Sequence, residues 1–174
     1  MIVECFLDTN VLLYAASRNP MDARKKTIAS DLIQEKFFGL SAQVAQEFYA
    51  VATRKADFRM SGEKALEWLE NFQEFPCLAI DMGLVKNAAV MASRYGISYW
   101  DGAILAAASA LGAPIVYSED MSHGQIYGDL QVCNPFKDSP QSGFHEDGTT
   151  PLGDPEGGGG YIQASSTRDF ERYS

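Results

Sequence analysis

Four acidic residues occupy positions where a carboxylate could do chemistry. Asp8 ends the short apolar run Val3 to Leu7, and apolar residues resume at once in helical spacing at Val11 and Leu12. Asp8 therefore sits where a buried strand gives way to a loop or helix, the place where open parallel α/β sheets gather their ligands. Asp120 repeats this arrangement, because Ile115, Val116 and Tyr117 read as a strand and S-E-D follows directly. If the two strands are neighbours, their carboxylates come within reach of one shared cation. Glu47 lies about 40° outside the apolar arc of a helix carrying Val44, Ala45, Phe48, Val51 and Ala52, so it borders the buried face. Asp101 shares a helical face with Ile104, Leu105 and Ala108 and points toward the core side.

Each acid also has a plainer explanation. Asp8 and Asn10 are both good helix caps. Asp101 stands three residues after Ser98, the capping-box spacing, although Glu or Gln is the usual partner there. A glutamate at the edge of an apolar stripe, such as Glu47, is ordinarily surface. What favours a centre is the set. Two unit charges 4 Å apart repel by about 4 kcal/mol at an effective dielectric near 20, so four gathered acids need a cation. All-oxygen ligation without a nearby His or Cys favours Mg²⁺ or Mn²⁺ over zinc. Ser118 and Glu119 offer further oxygens beside Asp120, whereas His123 reads as an incidental loop residue.

The bulk properties are compatible with such a centre. The net charge of −9 argues against a general polyanion binder, whose affinity comes from Lys and Arg displacing counterions. Carboxylate-held cations could nonetheless present positive charge to a phosphate. Cys5, Cys77 and Cys133 are odd in number and widely spaced, which supports neither a disulfide framework nor a zinc site and suits a reducing cytoplasm. No basic leader precedes an apolar segment, and the longest apolar stretch, Ala103 to Leu111, is too short for a membrane span. A cytoplasmic protein without a membrane partner is expected.

Strand and helix signals alternate along the chain. Strands are expected near Val3 to Leu7, Phe37 to Leu40, Pro76 to Ile80 and Ile115 to Tyr117, with an edge strand at Leu130 to Val132. Asn19-Pro20 opens the second helix, with Arg24, Lys25 and Lys26 on its solvated face. Ser41, Ser61 and Asp81 cap later helices, and Gly96 ends the one that carries Leu84, Val85, Ala88, Ala92 and Tyr95. The helix beginning at Ser61 should bury Leu66, Leu69 and Phe72. Arg54, Lys55 and Arg59 complement a helix end and could meet phosphates. In the next helix, the small residues from Ala103 to Ala110 permit close approach to the sheet. This alternation predicts an α/β fold with a parallel sheet covered on both faces. One domain spans residues 1–136. Residues 137–174 hold 7 Gly, 3 Pro and 8 Ser or Thr but only four of Ile, Leu, Val or Phe, the composition of a disordered tail.

With these residues in place the chain resembles the PIN-domain ribonucleases, most closely the VapC-type toxins of toxin/antitoxin pairs. The likeness spans roughly Met1 to Phe136 and is carried by F-L-D-T-N-V-L-L-Y, S-A-Q-V-A-Q-E-F-Y-A, S-Y-W-D-G-A-I-L-A-A-A and I-V-Y-S-E-D-M-S-H-G. The resemblance implies a three-layer α/β/α sandwich around a central parallel sheet. It also implies an acidic centre of Asp8, Glu47, Asp101 and Asp120, with Asn10 and Ser118 beside it. The implied activity is Mg²⁺- or Mn²⁺-dependent hydrolysis of RNA, with a protein antitoxin as partner and a homodimer as the assembly. Glu119 is charged where many relatives carry an uncharged residue, and the Gly-rich tail matches nothing in the family. Two other readings stay open. One is a PIN-like binding module without catalysis; the other is a haloacid-dehalogenase-like phosphatase with Asp8 as nucleophile, which would normally carry Asp where Asn10 stands.

Overall fold

A computed structural model describes residues 3–55, 58 and 60–137. The expected tail therefore lies, apart from Lys137, outside the described residues, as does Arg59. The first strand, β1, is Cys5–Leu7, and all three residues are buried. Such an unbroken apolar run belongs to a strand covered on both faces. Helix α1 (Thr9–Ala16) follows without a loop, with Asp8 as its N-cap. Asn19 does cap, but it caps a single 3-10 turn, Pro20–Asp22, and helix α2 (Ala23–Glu35) starts only after it.

Strand β2 (Phe38–Ser41) leads into α3 (Ala42–Arg54), where the Ser41 hydroxyl accepts from the Val44 amide. Helix α4 (Gly62–Phe72) begins at the Ser61 cap. Its buried face is Ala65, Trp68 and Phe72, and Leu66 is half exposed, contrary to the expected stripe. Trp68 takes the inner position because its ring packs against Phe48 and Phe72, with centroids 5.6 and 6.0 Å away. Strand β3 is only Cys77–Leu78, shorter than Pro76 to Ile80, because it is paired on one side alone and its continuation, Ala79 and Ile80, is exposed.

Helix α5 (Met82–Tyr95) is capped by Asp81 and stopped by Gly96, whose φ of 64° is the left-handed conformation glycine adopts freely. Helix α6 (Tyr99–Ala110) precedes β4 (Ile115–Tyr117). A hairpin of β5 (Ile126–Tyr127) and β6 (Leu130–Cys133) completes the sheet.

The strand order is β3-β2-β1-β4-β6-β5. The first five strands are parallel and only β5 runs antiparallel. The segment from Leu130 is thus not the edge: β6 lies between β4 and β5, and the edge strand comes from the loop before it. Two residues are too few for period-two alternation to be read. Helix α6 packs on β2, β4 and β6 with α5 outside it, while α1 packs on α2 and α3, and α3 on β2 and α4. This is the expected three-layer α/β/α sandwich, with a mixed rather than purely parallel sheet.

The small residues of α6 serve both neighbours. Ala107 and Ala108 join the main core, whereas Ala103 and Ala106 pack with Ala88 of α5. At Gly102 a Cβ would stand 2.5 Å from the Ala88 carbonyl oxygen and 3.0 Å from the Ala92 nitrogen. That contact fixes the start of α6, and Asp101 with it. No helix among the described residues is long and apolar enough to cross a membrane.

Candidate carboxylate centre

The chain builds β1, β2 and β3 outward in one direction, then crosses back to place β4 on the other side of β1. The carboxyl ends of β1 and β4 therefore flank the point where the strand order reverses, the crevice where open α/β sheets bind ligands. Asp8 follows β1 there, and Ser118, Glu119 and Asp120 follow β4. The Asp8 amide donates to the Tyr117 carbonyl at 3.0 Å, which carries the pairing of the two strands up to the site.

Asp8 is buried and fully engaged. Its Oδ1 accepts from the Thr9 amide at 2.7 Å; Oδ2 accepts from the Ser118 hydroxyl at 2.7 Å and from Asn10 Nδ2 at 3.1 Å. Capping and site membership are thus one arrangement. Burial pushes the Asp8 carboxyl up to about 6, against the pull of the Ser118 and Thr9 hydrogen bonds, and the charges of Glu47 and Asp120 push the same way as burial. Asn10 ties the strand ends together. Its Nδ2 also donates to Asp120 Oδ2 at 3.1 Å, and its Oδ1 accepts from the Glu119 amide at 3.2 Å. Ser118, fully buried, accepts from the Asp120 amide at 3.2 Å.

Glu47 reaches this group from α3, where its Oε2 accepts from the Thr9 hydroxyl at 2.9 Å. Asp101, at the first turn of α6, turns its Oδ2 to the Ser98 hydroxyl at 2.8 Å while the Ser98 oxygen caps the Asp101 amide at 3.0 Å. All four acids line one cavity of about 520 Å³, together with Gln43, Gln46, Ala50, Trp100 and Ile104. An adjoining cavity of about 360 Å³ shares Asp8, Glu47 and Asp120 with it and adds Asn10, Lys55 and Glu119 among its walls.

Among the described residues no three His, Cys, Asp or Glu side chains form a ready-made metal-holding group. The Thr9 and Ser98 hydroxyls hold Glu47 and Asp101, while Asp8 and Asp120 share the Asn10 amide nitrogen. The donor set nevertheless fits a hard divalent cation, since every candidate ligand is a carboxylate or hydroxyl oxygen.

Glu119 belongs to a different group. Lys25 forms an ion pair with it, hydrogen-bonds to the Tyr14 hydroxyl at 2.8 Å and lies over the Tyr14 ring. Burial raises the Glu119 carboxyl, but the hydrogen bonds from Lys25 and Tyr14 outweigh it and hold the group below its usual range. Lys25 is consequently not part of a solvated helix face, as its neighbours in sequence suggested. Its partner lies 94 residues away, and periodicity carries no such information. His123 is also placed: its Nδ1 accepts from the Asn134 amide at 3.0 Å, which ties its loop to the end of β6. Thr9 is the site residue that sequence reasoning passed over. Its only signal was a hydroxyl between Asp8 and Asn10.

The pattern of the PIN domain matches residues 5–128, and the chain belongs to that family. No curated protein matches it by sequence. Among solved structures, it is similar to Mycobacterium tuberculosis VapC20, described as a sarcin-ricin loop cleaving toxin, at 21% identity over 67% of this chain and 89% of that one, TM-score 0.54. The FitAcB structure from Neisseria gonorrhoeae matches at 23% identity over 76% of this chain and 98% of that one, TM-score 0.52. A toxin-antitoxin complex from Klebsiella pneumoniae matches at 14% identity over 75% and 97%, TM-score 0.54. At such identities the likeness is one of fold.

Proposed function

We propose that this PIN-domain protein is a ribonuclease that hydrolyses RNA phosphodiester bonds with Mg²⁺ or Mn²⁺ and acts as the toxin of a toxin/antitoxin pair. The observation that carries this reading is the convergence of Asp8, Glu47, Asp101 and Asp120, from four separate elements, on one cavity at the sheet's switch point. Similarity in fold to a toxin-antitoxin complex supports the expected partner, a protein antitoxin, and a homodimer is the assembly that the resemblance to VapC-type toxins implies. Cytoplasmic RNA is the substrate this reading requires.

Asp8, Asp101, Asp120 and Glu47 would hold the cation, which supplies an activated water and stabilises charge on the leaving oxygen. The chain's own contribution is placement. Asn10 holds Asp8 and Asp120 through a single amide nitrogen, so the acids after β1 and β4 keep a fixed separation. Ser118 and the Thr9 amide fix both oxygens of Asp8. Because Asp8 is buried with both oxygens engaged, it is poorly placed to attack phosphorus itself, and Asn10 stands where a phosphatase of the haloacid-dehalogenase kind would carry its second acid. Glu119, held by Lys25, stays outside the ligand set. The competing reading of a binding module without catalysis draws on one observation, that every acid already has a protein donor.

The deciding experiment is cleavage of labelled RNA with Mg²⁺, with Mn²⁺ and with EDTA. Cleavage should require metal. Asp8→Asn, Asp101→Asn and Asp120→Asn should each lower it by more than roughly 100-fold, as loss of a charge-stabilising group at a reacting centre does. Glu47→Gln should impair it. Absence of metal-dependent cleavage of any RNA favours the binding module, and an acyl-phosphate trapped on Asp8 would favour the phosphatase.

A further inference from the structure

The geometry points to Trp100 as a stacking platform for an unpaired RNA base at the mouth of the carboxylate cavity, an inference that rests on the ribonuclease reading of that cavity. The chain has two tryptophans, and they are used differently. Trp68 is 8% exposed, packed among Phe48 and Phe72, whereas Trp100 is 65% exposed. A single exposed apolar side chain is ordinary on a protein surface, so a role for Trp100 needs a reason in where it stands. Tyr99 meets the indole edge to face, with centroids 5.3 Å apart and planes at 76°. The indole is thereby supported at one side.

Its place next to Asp101 supplies the reason. Trp100 shares its cavity with all four acids, and the amides of Gln43 and Gln46 on α3 line the same space. A base lying on the indole would have amide donors and acceptors in its cavity while its phosphate meets the carboxylate-held cation. Such a platform matters more here than in a basic nuclease. With a net charge of −9, backbone attraction is weak, and stacking must provide a large share of the affinity. Because the face of a base is hidden within a duplex, the platform selects single-stranded or looped RNA and tolerates sequence.

The test measures binding separately from cleavage. In an Asp8→Asn background with Mn²⁺, a labelled oligouridylate is titrated against protein carrying Trp100, Trp100→Phe or Trp100→Ala, and anisotropy is followed. Trp100→Ala should weaken binding by about 5- to 100-fold, Trp100→Phe should retain most of it, and the melting temperatures should agree. The duplexed strand should not distinguish the three proteins. In the active enzyme, Trp100→Ala should raise KM more than it lowers kcat. Equal affinity of the Trp100 and Ala forms leaves the exposed indole to a protein contact and overturns the proposal. A loss reproduced with an abasic ribose-phosphate strand does the same, since that strand has nothing to stack. Trp100-dependent binding in a protein that cleaves no RNA would uphold the platform and remove the ribonuclease reading. Cleavage indifferent to Trp100 would do the opposite.

Discussion

The Ser118 hydroxyl, just past β4, donates at 2.7 Å to the Asp8 carboxylate, just past β1. One hydrogen bond thus spans the switch point of the sheet and joins residues 110 positions apart. It stabilises the charged form of Asp8, but not enough to offset burial and the charges of Glu47 and Asp120. The consequence is an acid that binds its proton more tightly in the folded protein than in the unfolded chain.

That difference fixes a pH dependence of stability. With the folded Asp8 at about 6 and an ordinary value of 3.8, the native state holds the extra proton between roughly pH 4 and 6. Stability from this group must therefore fall as pH rises through that window, and the loss is complete above it. A displacement of this size is worth up to roughly 3 kcal/mol. In EDTA, Asp8→Asn should melt higher than the parent above pH 6, with the gap closing toward pH 4. Its amide can still donate to Ser118, so the variant keeps a link between the strands. Melting curves that coincide at every pH would contradict this account.

Metal should reverse the penalty. A divalent cation at 100 times its dissociation constant adds about 2.7 kcal/mol, enough to raise the melting temperature by several degrees in a domain of this size. Parent protein is expected to respond to Mn²⁺ in this way, and Asp120→Asn to lose most of the response. A parent indifferent to Mn²⁺ would leave the four acids as ordinary structural groups.

Lys25 and Glu119 should behave as a coupled pair. Their side chains are 31% and 28% exposed, so solvent screens the ion pair, and Lys25→Met should cost about 1 kcal/mol. Glu119→Gln should cost a similar amount, and the double variant less than the two together, because each single change already removes the shared interaction. Strictly additive losses in denaturant titrations would show that the pair is not coupled.

Gly102→Ala tests the packing that sets Asp101. The new methyl would meet the Ala88 carbonyl oxygen at 2.5 Å, and backbone on that side cannot swing away as a flexible side chain could. A loss of about 1–3 kcal/mol is expected, as for other overpacked contacts. A melting temperature equal to the parent's would mean that α5 and α6 separate at little cost.

What the sequence determined by itself was local. Ser41, Ser61, Asp81 and Ser98 each accept from the amide three residues on, and Gly96 ends α5 through its own backbone angles, so each cap is set by neighbours in the chain. The placement of Asp8 and Asp120 was legible for a related reason, since Asp8 directly follows one apolar strand and Asp120 stands three residues past the end of another. The tertiary structure decided everything that depends on which strands become neighbours. It placed β4 beside β1, gave the edge to Ile126–Tyr127 and put Trp68 inside where Leu66 was expected. It also chose the donors: Thr9 for Glu47, Ser98 for Asp101 and Lys25 for Glu119. Of these, only Ser98 lies within a helical turn of the acid it serves. A carboxylate takes whatever donor the packed elements bring to it, and for partners 38 and 94 residues apart that choice is made by helix and sheet packing, which no local spacing encodes.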